Sequence, residues 1–263
     1  MKALRKYRVI ARVSFSNAIA YRASTLSRFC FYTLFIYIFM SLWRAIYREG
    51  SVHGYGYAQV VWYLVITEFI TFACGTGVLN HMNDDVKSGA IAYQLGRPAH
   101  YVLYQFANAL GQILLNMVCF GVLACALGIL FVGPLPGFRP FVLLPLVLSV
   151  GLGLVINFFL LMLIGLSAFV VEDNFALYLI YQKLNFMFGL FLPLEFLPAW
   201  LQPVARNLPF PYIYWAPAKM LVDYSPEIFR ELISRQAVWA AVSVALAFLG
   251  YYLCVRRLQV NGG

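Results

Sequence analysis

Charged residues are scarce in this sequence, where they make up 11% of 263 residues. In soluble domains roughly a quarter of the residues are charged. Hydrophobic residues reach 63%. This composition excludes a soluble protein and indicates an integral membrane protein.

The sequence also lacks a nucleotide-binding motif. It contains no Gly-x-x-x-x-Gly-Lys-Ser/Thr pattern and no glycine-rich loop that follows a strand. Those patterns bind phosphates through backbone N–H groups and a lysine. The chain therefore cannot be its own phosphate-binding motor, and any ATPase that drives it is a separate polypeptide.

Metal ligands and disulfide pairs are not evident either. The three histidines are isolated from one another, and the five cysteines lie in or against apolar runs without metal-ligand spacing. Buried cysteines of this kind behave as small hydrophobic residues. We predict no metal site, no disulfide and no catalytic residue in this chain.

Long apolar runs are what the sequence has in abundance. A membrane-spanning helix needs about 20 apolar residues, and six runs approach or exceed that length. The sequence predicts an all-α, polytopic membrane protein in which 25–263 form a domain of six transmembrane helices. The predicted spans are 26–47, 58–79, 101–132, 141–171, 175–192 and 237–255.

The N-terminal segment, 1–24, is predicted to be an amphipathic connecting helix. Arg5, Arg8 and Arg12 recur at i, i+3 and i+7, and an apolar stripe occupies another face. Such a helix lies in the membrane interface with its apolar face towards the lipid. A simple basic anchor that sets the orientation is the alternative interpretation.

Basic residues predict the orientation. The net charge of +9 is concentrated beside apolar runs, including the N-terminal segment and Arg256 with Arg257. Basic residues near spans favour the cytoplasmic side and anionic lipid headgroups. We expect both termini in the cytoplasm, contacts with membrane lipid, and no nucleic-acid partner.

A polar segment at 83–98 separates the second and third apolar runs. Asn83 or Asp84 could cap a helix there, and Gly96 with Pro98 would end it. The segment is predicted to be one short amphipathic helix at the cytoplasmic surface. The face predicted to dock consists of Val86, Ala90 and Tyr93.

A proline-rich segment at 193–226 precedes the last span. Prolines at this density break a helix into short pieces, while the intervening residues stay apolar. We predict an external re-entrant segment that dips into the membrane without crossing it. Its prolines are Pro193, Pro198, Pro203, Pro209, Pro211, Pro217 and Pro226.

Two sequence patterns, each present once, lie among the six predicted spans. The polar segment contains Val86-x-x-Gly89-x-Ile91-x-x-x-Leu95-x-x-Pro98. The proline-rich segment contains the run 192–201, then Leu208-Pro209-Phe210 and Pro217. Over nearly the whole chain this arrangement resembles permeases of the type-2 (ABC-2) family of ATP-binding-cassette exporters, with a coupling helix and an external re-entrant segment.

The resemblance implies a permease subunit that exports its substrate and binds no cofactor itself. ATP and magnesium would bind to a separate ATPase, present in two copies, and a second permease chain, identical or related, would complete the path. A bacterial inner membrane is expected, and the aromatic spans suit a hydrophobic or amphipathic substrate. The residues implied to couple to the ATPase are Asp84, Asp85, Val86, Gly89, Ile91, Leu95, Arg97 and Pro98.

Polar residues inside the spans are candidates for the substrate path. Glu68 and Lys183 fall at similar depths, which fits either a buried ion pair or two groups that line one wet cavity. Glu195, with Pro193 and Pro198, is a candidate external gate, or Glu195 simply caps a short helix. A polar stripe along the third span either bonds to other helices or forms a wall for substrate; it comprises Gln105, Asn108, Gln112 and Asn116.

Two other classes of function stay open from the residues. In an ion-coupled secondary carrier, Glu68 would be the coupling carboxylate. In an intramembrane enzyme, Glu68 would act with a histidine, but no histidine lies at its predicted depth. An ATP requirement for transport separates the exporter from the carrier.

Overall fold

The computed structural model describes residues 2–20, 22–49, 54–169, 171 and 174–261. The regular elements in these ranges are all helical, as predicted. Short 3-10 turns occur at Tyr47–Glu49, Pro140–Val142 and Leu194–Phe196. The α-helices in chain order are α1 (Lys2–Ala20), α2 (Arg22–Ile46), α3 (Tyr57–Cys74), α4 (Gly77–Lys87), α5 (Ala90–Leu95), α6 (Tyr101–Val132), α7 (Leu143–Ser167), α8 (Phe175–Asn185), α9 (Gln202–Arg206), α10 (Pro211–Val222) and α11 (Pro226–Asn261).

Within the described residues, five helical stretches are long and apolar enough to cross a membrane. This confirms a multi-pass, all-helical membrane protein. The five stretches are Leu26–Ile46, Tyr57–Lys87, Tyr101–Val132, Pro140–Ser167 and Pro226–Arg256.

The predicted fifth span, 175–192, takes a broken form. Helix α8 ends at Asn185 and continues as a π-helical turn, Phe186–Leu190, with a kink at Phe188 and Gly189. A Cβ on Gly189 would lie 3.2 Å from the Cα of Pro211, so the backbone of α10 leaves no room for a side chain there. The segment is too short to count among the five long stretches, and the number six stays a prediction.

The helix bundle has two distinct ends, which we name after one residue at each. At the Asp85 end, the Tyr101 hydroxyl donates a hydrogen bond to Asp85 at 3.0 Å. At the Lys219 end, the Trp62 indole donates to the carbonyl of Gly133 at 3.1 Å. Helices α3, α6, α7 and α11 run between these ends.

Several helix boundaries differ from the prediction because single residues interrupt or extend the helices. Helix α3 ends at Cys74, not near 79, because Gly75 adopts a φ of 58° and turns the chain into α4. The last helix begins at Pro226, well before 237. Its first turns are polar and exposed, with ion pairs such as Arg235–Glu231 at 3.4 Å.

The N-terminal helix α1 packs along the first turns of α6. Lys6 donates a hydrogen bond to the carbonyl of Pro98 at 2.7 Å, and Ser14 donates to the carbonyl of Asn108 at 2.7 Å. Gly111 of α6 meets the backbone of α1 at Ala11, where a Cβ would clash. The predicted basic stripe, by contrast, is exposed; it consists of Arg5, Arg8 and Arg12.

The proline-rich segment forms short helical pieces, as its prolines predict. Helix α10 is the longest of them and lies between α3 and α7 with almost all of its residues buried. The close approach of α7 depends on Gly153, since a Cβ there would lie 2.9 Å from the carbonyl oxygen of Ile213. Helix α10 is therefore enclosed by protein, as a helix that does not cross the membrane requires.

We expect Gly153→Ala to destabilise the protein by about 1–3 kcal/mol, because the new methyl group forces α7 away from α10. Gly151→Ala is the matched control on the same helix, where nothing lies within 4 Å of the added Cβ. The control should be neutral or slightly stabilising. Thermal unfolding of the purified protein measures both variants. Equal melting temperatures would contradict the packing described here.

Candidate functional site

The polar segment folds as part of a helical hairpin rather than as one helix over 83–98. Helix α4 starts at Gly77 because Val78, Leu79 and Met82 give it a buried face. The chain then turns at Gly89, whose φ of 72° favours glycine, and continues as α5. We call Gly77–Leu95 the α4–α5 hairpin. Asn83 and Asp84 lie in the helix interior, so neither caps it.

Asp85 and Asp84 have different surroundings. Asp85 Oδ2 accepts hydrogen bonds from the Tyr101 hydroxyl at 3.0 Å and from the Gln105 amide at 3.3 Å, so this carboxylate holds α4 against α6. The Asp84 side chain is exposed. Of the two predicted coupling carboxylates, Asp84 is therefore the one available to a partner.

The other predicted coupling residues also divide into those that pack inside the protein and those that are exposed. Ile91 is buried and anchors α5, Val86 is half-buried, and the Leu95 side chain lies outside the part that the structure describes. The Arg97 guanidinium lies over the ring of Tyr93, 4.8 Å from its centroid. Tyr93 itself is 70% exposed, so together with Arg97 it presents a cationic and aromatic surface. The carbonyl of Pro98 accepts the Lys6 hydrogen bond described above.

An amide pair joins α4 to α8. Asn174 donates to Asn83 Oδ1 at 2.9 Å, and Asn83 donates back to Asn174 Oδ1 at 3.1 Å. Asn174 also donates to the carbonyl of Ile164 on α7 at 2.9 Å and is buried. Sequence reasoning missed this pair, because Asn83 suggested a helix cap and the two residues lie 91 positions apart in the chain.

Glu68 and Lys183 line one cavity and do not form an ion pair in the described structure. The cavity has a volume of about 380 Å³, within the roughly 300–1,000 Å³ of small-molecule sites. Glu68 is 4% exposed, whereas Lys183 is exposed on the outer side of α8. In the described structure the two residues therefore share a cavity without pairing, and their role in transport stays a prediction.

The polar stripe of α6 lies next to that cavity, but its side chains do not line it. Asn116 donates to the carbonyl of Ala73 on α3 at 3.2 Å, and Gln105 donates to Asp85. A cleft of about 20 Å³, which holds no more than one water molecule, is lined by Gln105, Asn108 and Gln112. Gln105 and Asn116 thus bond to neighbouring helices, whereas Asn108 and Gln112 line the cleft, and the part that the stripe plays in transport stays a prediction.

Glu195 belongs to an ionic cluster at the Lys219 end. Glu195 lies in a short 3-10 turn directly after Pro193. The carbonyl of Pro198 accepts the first hydrogen bonds of the next turn, from the backbone N–H groups of Leu201 and Gln202. Glu195 Oε1 lies 2.7 Å from Lys219 Nζ, and Oε2 accepts a hydrogen bond from the Trp215 indole at 3.2 Å. The predicted gate residue therefore ties the start of the proline-rich segment to α10.

Tyr55 and Asp223 complete this cluster. Lys219 donates to the Tyr55 hydroxyl at 3.1 Å and to Asp223 at 3.0 Å. Burial and the Glu195 carboxylate raise the pKa of the Tyr55 phenol to about 12. Burial alone would lower the pKa of Lys219, but Glu195 raises it above that of free lysine. At neutral pH the cluster holds a charged lysine between two acids and a neutral phenol.

Comparison with known proteins identifies one family. A model of the ABC-2 family transporter proteins matches residues 30–262, which is nearly the whole chain. A search of the curated proteins gives no match.

We expect Lys219→Met to lower stability by roughly 2 kcal/mol, because it leaves the half-buried Glu195 carboxylate without its cation. Arg230→Met is the control, since both side chains of the Arg230–Glu227 pair are exposed to solvent, which screens the attraction. Adding Glu195→Gln to Lys219→Met should recover much of the loss. Thermal unfolding measures all four proteins, and equal losses for the lysine and arginine variants would contradict the assignment.

Proposed function

This chain belongs to the ABC-2 transporter family, and we propose that it is the permease subunit of an exporter that a separate ATPase drives. The observation that carries the proposal is the path from the α4–α5 hairpin to the cavity. The hairpin exposes Asp84 and Tyr93, Arg97 follows it directly in the chain, and the Asn83–Asn174 pair ties the hairpin to α8. Helix α8 forms one wall of the cavity.

The proposed subunit crosses the membrane six times. Five crossings are the long helical stretches, and the sixth is α8 with its π-helical turn. Asn174 bonds to Asn83 at the Asp85 end, while the carbonyls of Gly189 and Leu192 accept hydrogen bonds from Tyr63, near the start of α3. The segment therefore extends through most of the bundle even though its helix is broken.

In this proposal the Asp85 end faces the cytoplasm of a bacterial cell. The exposed arginine stripe of α1 lies at that end, because Lys6 and Tyr7 contact the chain just before α6. Basic residues beside spans favour the cytoplasmic side. Both termini and the hairpin then share a compartment with ATP, and the Glu195–Lys219 cluster lies outside, where it holds the re-entrant segment as an external gate.

The proposed partners are two copies of an ATPase, which bind ATP and magnesium, and a second permease chain, identical or related. One chain leaves the cavity open beside the exposed apolar residues of α2 and α8, among them Phe35 and Phe186. A second chain or membrane lipid would cover this side. Movement of the hairpin on ATP binding would shift α8 and switch the cavity between inward and outward access.

A second candidate function is an ion-coupled secondary carrier. The observation that favours it is the Glu68 carboxylate, which is buried yet lines the cavity. A carrier of this kind would transport substrate in a proton gradient without ATP. Reconstituted vesicles that transport only with ATP and the ATPase support the exporter, whereas flux driven by the gradient alone supports the carrier.

We expect Asp84→Lys to reduce transport per ATP hydrolysed by about tenfold, because it reverses a charge on the exposed side of the hairpin without removing an internal contact. The measurement uses this chain reconstituted with the ATPase that co-purifies with it. Glu227→Lys is the control, as an exposed acid at the Lys219 end that carries the same charge change. Unchanged coupling in Asp84→Lys, or equal losses in both variants, would contradict docking at the hairpin.

A further inference from the structure

We propose that the cavity beside Glu68 binds the amino group of an amphipathic amine, with the Glu68 carboxylate and the Asn185 amide oxygen as its acceptors. This inference rests on the proposed function, since it names the substrate class of that transporter. Glu68 lies on α3 and Asn185 at the end of α8, and both line the cavity.

Asn185 supplies the first unsatisfied acceptor. The residue is only 4% exposed, and its Oδ1 atom is buried without a hydrogen-bond partner in the described structure. The amide orientation is settled by the Nδ2 group, which donates to the carbonyl of Tyr181 at 2.9 Å. An orphaned buried acceptor of this kind costs about 1–3 kcal/mol, so a ligand that donates a hydrogen bond there gains affinity.

Glu68 supplies the second acceptor and the charge. Its carboxylate makes no hydrogen bond or ion pair with a described residue, and it is 4% exposed. A buried carboxylate needs a counter-charge or a hydrogen-bond donor. Two acceptors without donors in one cavity select a ligand with several N–H groups, and a protonated amine offers these together with a positive charge.

Aromatic side chains supply the surface for the rest of the molecule. Tyr178, Tyr181, Tyr214 and Phe72 line the same cavity. The Tyr181 hydroxyl donates to Asn157 at 2.5 Å, so that hydroxyl is already occupied. Aromatic rings attract cations over their faces and bury apolar chains. The lining therefore suits a cationic head on a hydrophobic body.

Lys183 does not neutralise Glu68. Residues two apart on a helix point to different sides, so Lys183 is exposed on α8 while Asn185 is buried. The two charges share the cavity without pairing, and the carboxylate stays available to a ligand.

The test measures binding of three matched probes to the purified permease in nanodiscs. The probes are a radiolabelled phenylalkyl primary amine and the alcohol and carboxylic acid of the same chain length. We expect the amine to bind at least tenfold more tightly than the other two. Similar affinities for all three would overturn the proposal without any variant.

Variants assign the preference to the named acceptors. Glu68→Gln should remove most of the amine's advantage and leave the affinity for the alcohol unchanged, and Asn185→Leu should reduce amine affinity by a smaller factor. Glu227→Gln, far from the cavity, is the control. A preference for the amine that survives Glu68→Gln in folded protein, as judged by thermal unfolding, would contradict the assignment.

The binding assay uses no ATPase, so a failure of the substrate assignment can be told apart from a failure of the proposed function. If amine preference fails while transport still requires ATP, the substrate assignment is wrong and the exporter stands. If amine preference holds while transport proceeds without ATP, the exporter is wrong and the carrier is supported.

Discussion

Two reciprocal hydrogen bonds between Asn83 and Asn174 are the contact on which this account depends. Buried amides are costly to leave unpaired, so the two side chains hold α4 and the start of α8 together. Asn174 also bonds to the end of α7, so the pair lies where three helices meet. In the proposed mechanism, a displacement of the α4–α5 hairpin moves the wall of the cavity that Glu68 and Asn185 line.

The membrane explains where the chain can break its helices. Lipid offers no hydrogen bonds to a backbone, so irregular segments need protein or water around them. The turn at Gly89 lies exposed at the Asp85 end, whereas the kink at Gly189 lies against α10. Helix α10 is itself enclosed between α3 and α7. The two kinds of break serve different purposes in the proposal, since one meets a partner and the other shapes the cavity.

Hydrophobic runs and prolines predict the helical spans and the short pieces near α10, because both act locally along the chain. Contacts between distant residues are not visible in this way. The contacts Asn83–Asn174 and Glu195–Lys219 form only once the helices have packed. The end of α3 was also missed, because Gly75 lies in a continuous apolar run and ends the helix through its positive φ. The sequence predicts similar membrane depths for Glu68 and Lys183. It does not predict which side of its helix each residue occupies, and this rotational position is why the two share a cavity without forming an ion pair.

The most direct test of the account is a double-mutant cycle at the amide pair, with transport per ATP hydrolysed as the measured quantity. Asn83→Ala and Asn174→Ala should each lower that ratio, and the double variant should lose no more than the larger single loss, because both remove one contact. Asn80→Ala is the control, since Asn80 is exposed on the same helix and, among the described residues, its side chain bonds only to Thr76. Additive losses, or losses no greater than that of Asn80→Ala, would contradict transmission through this pair.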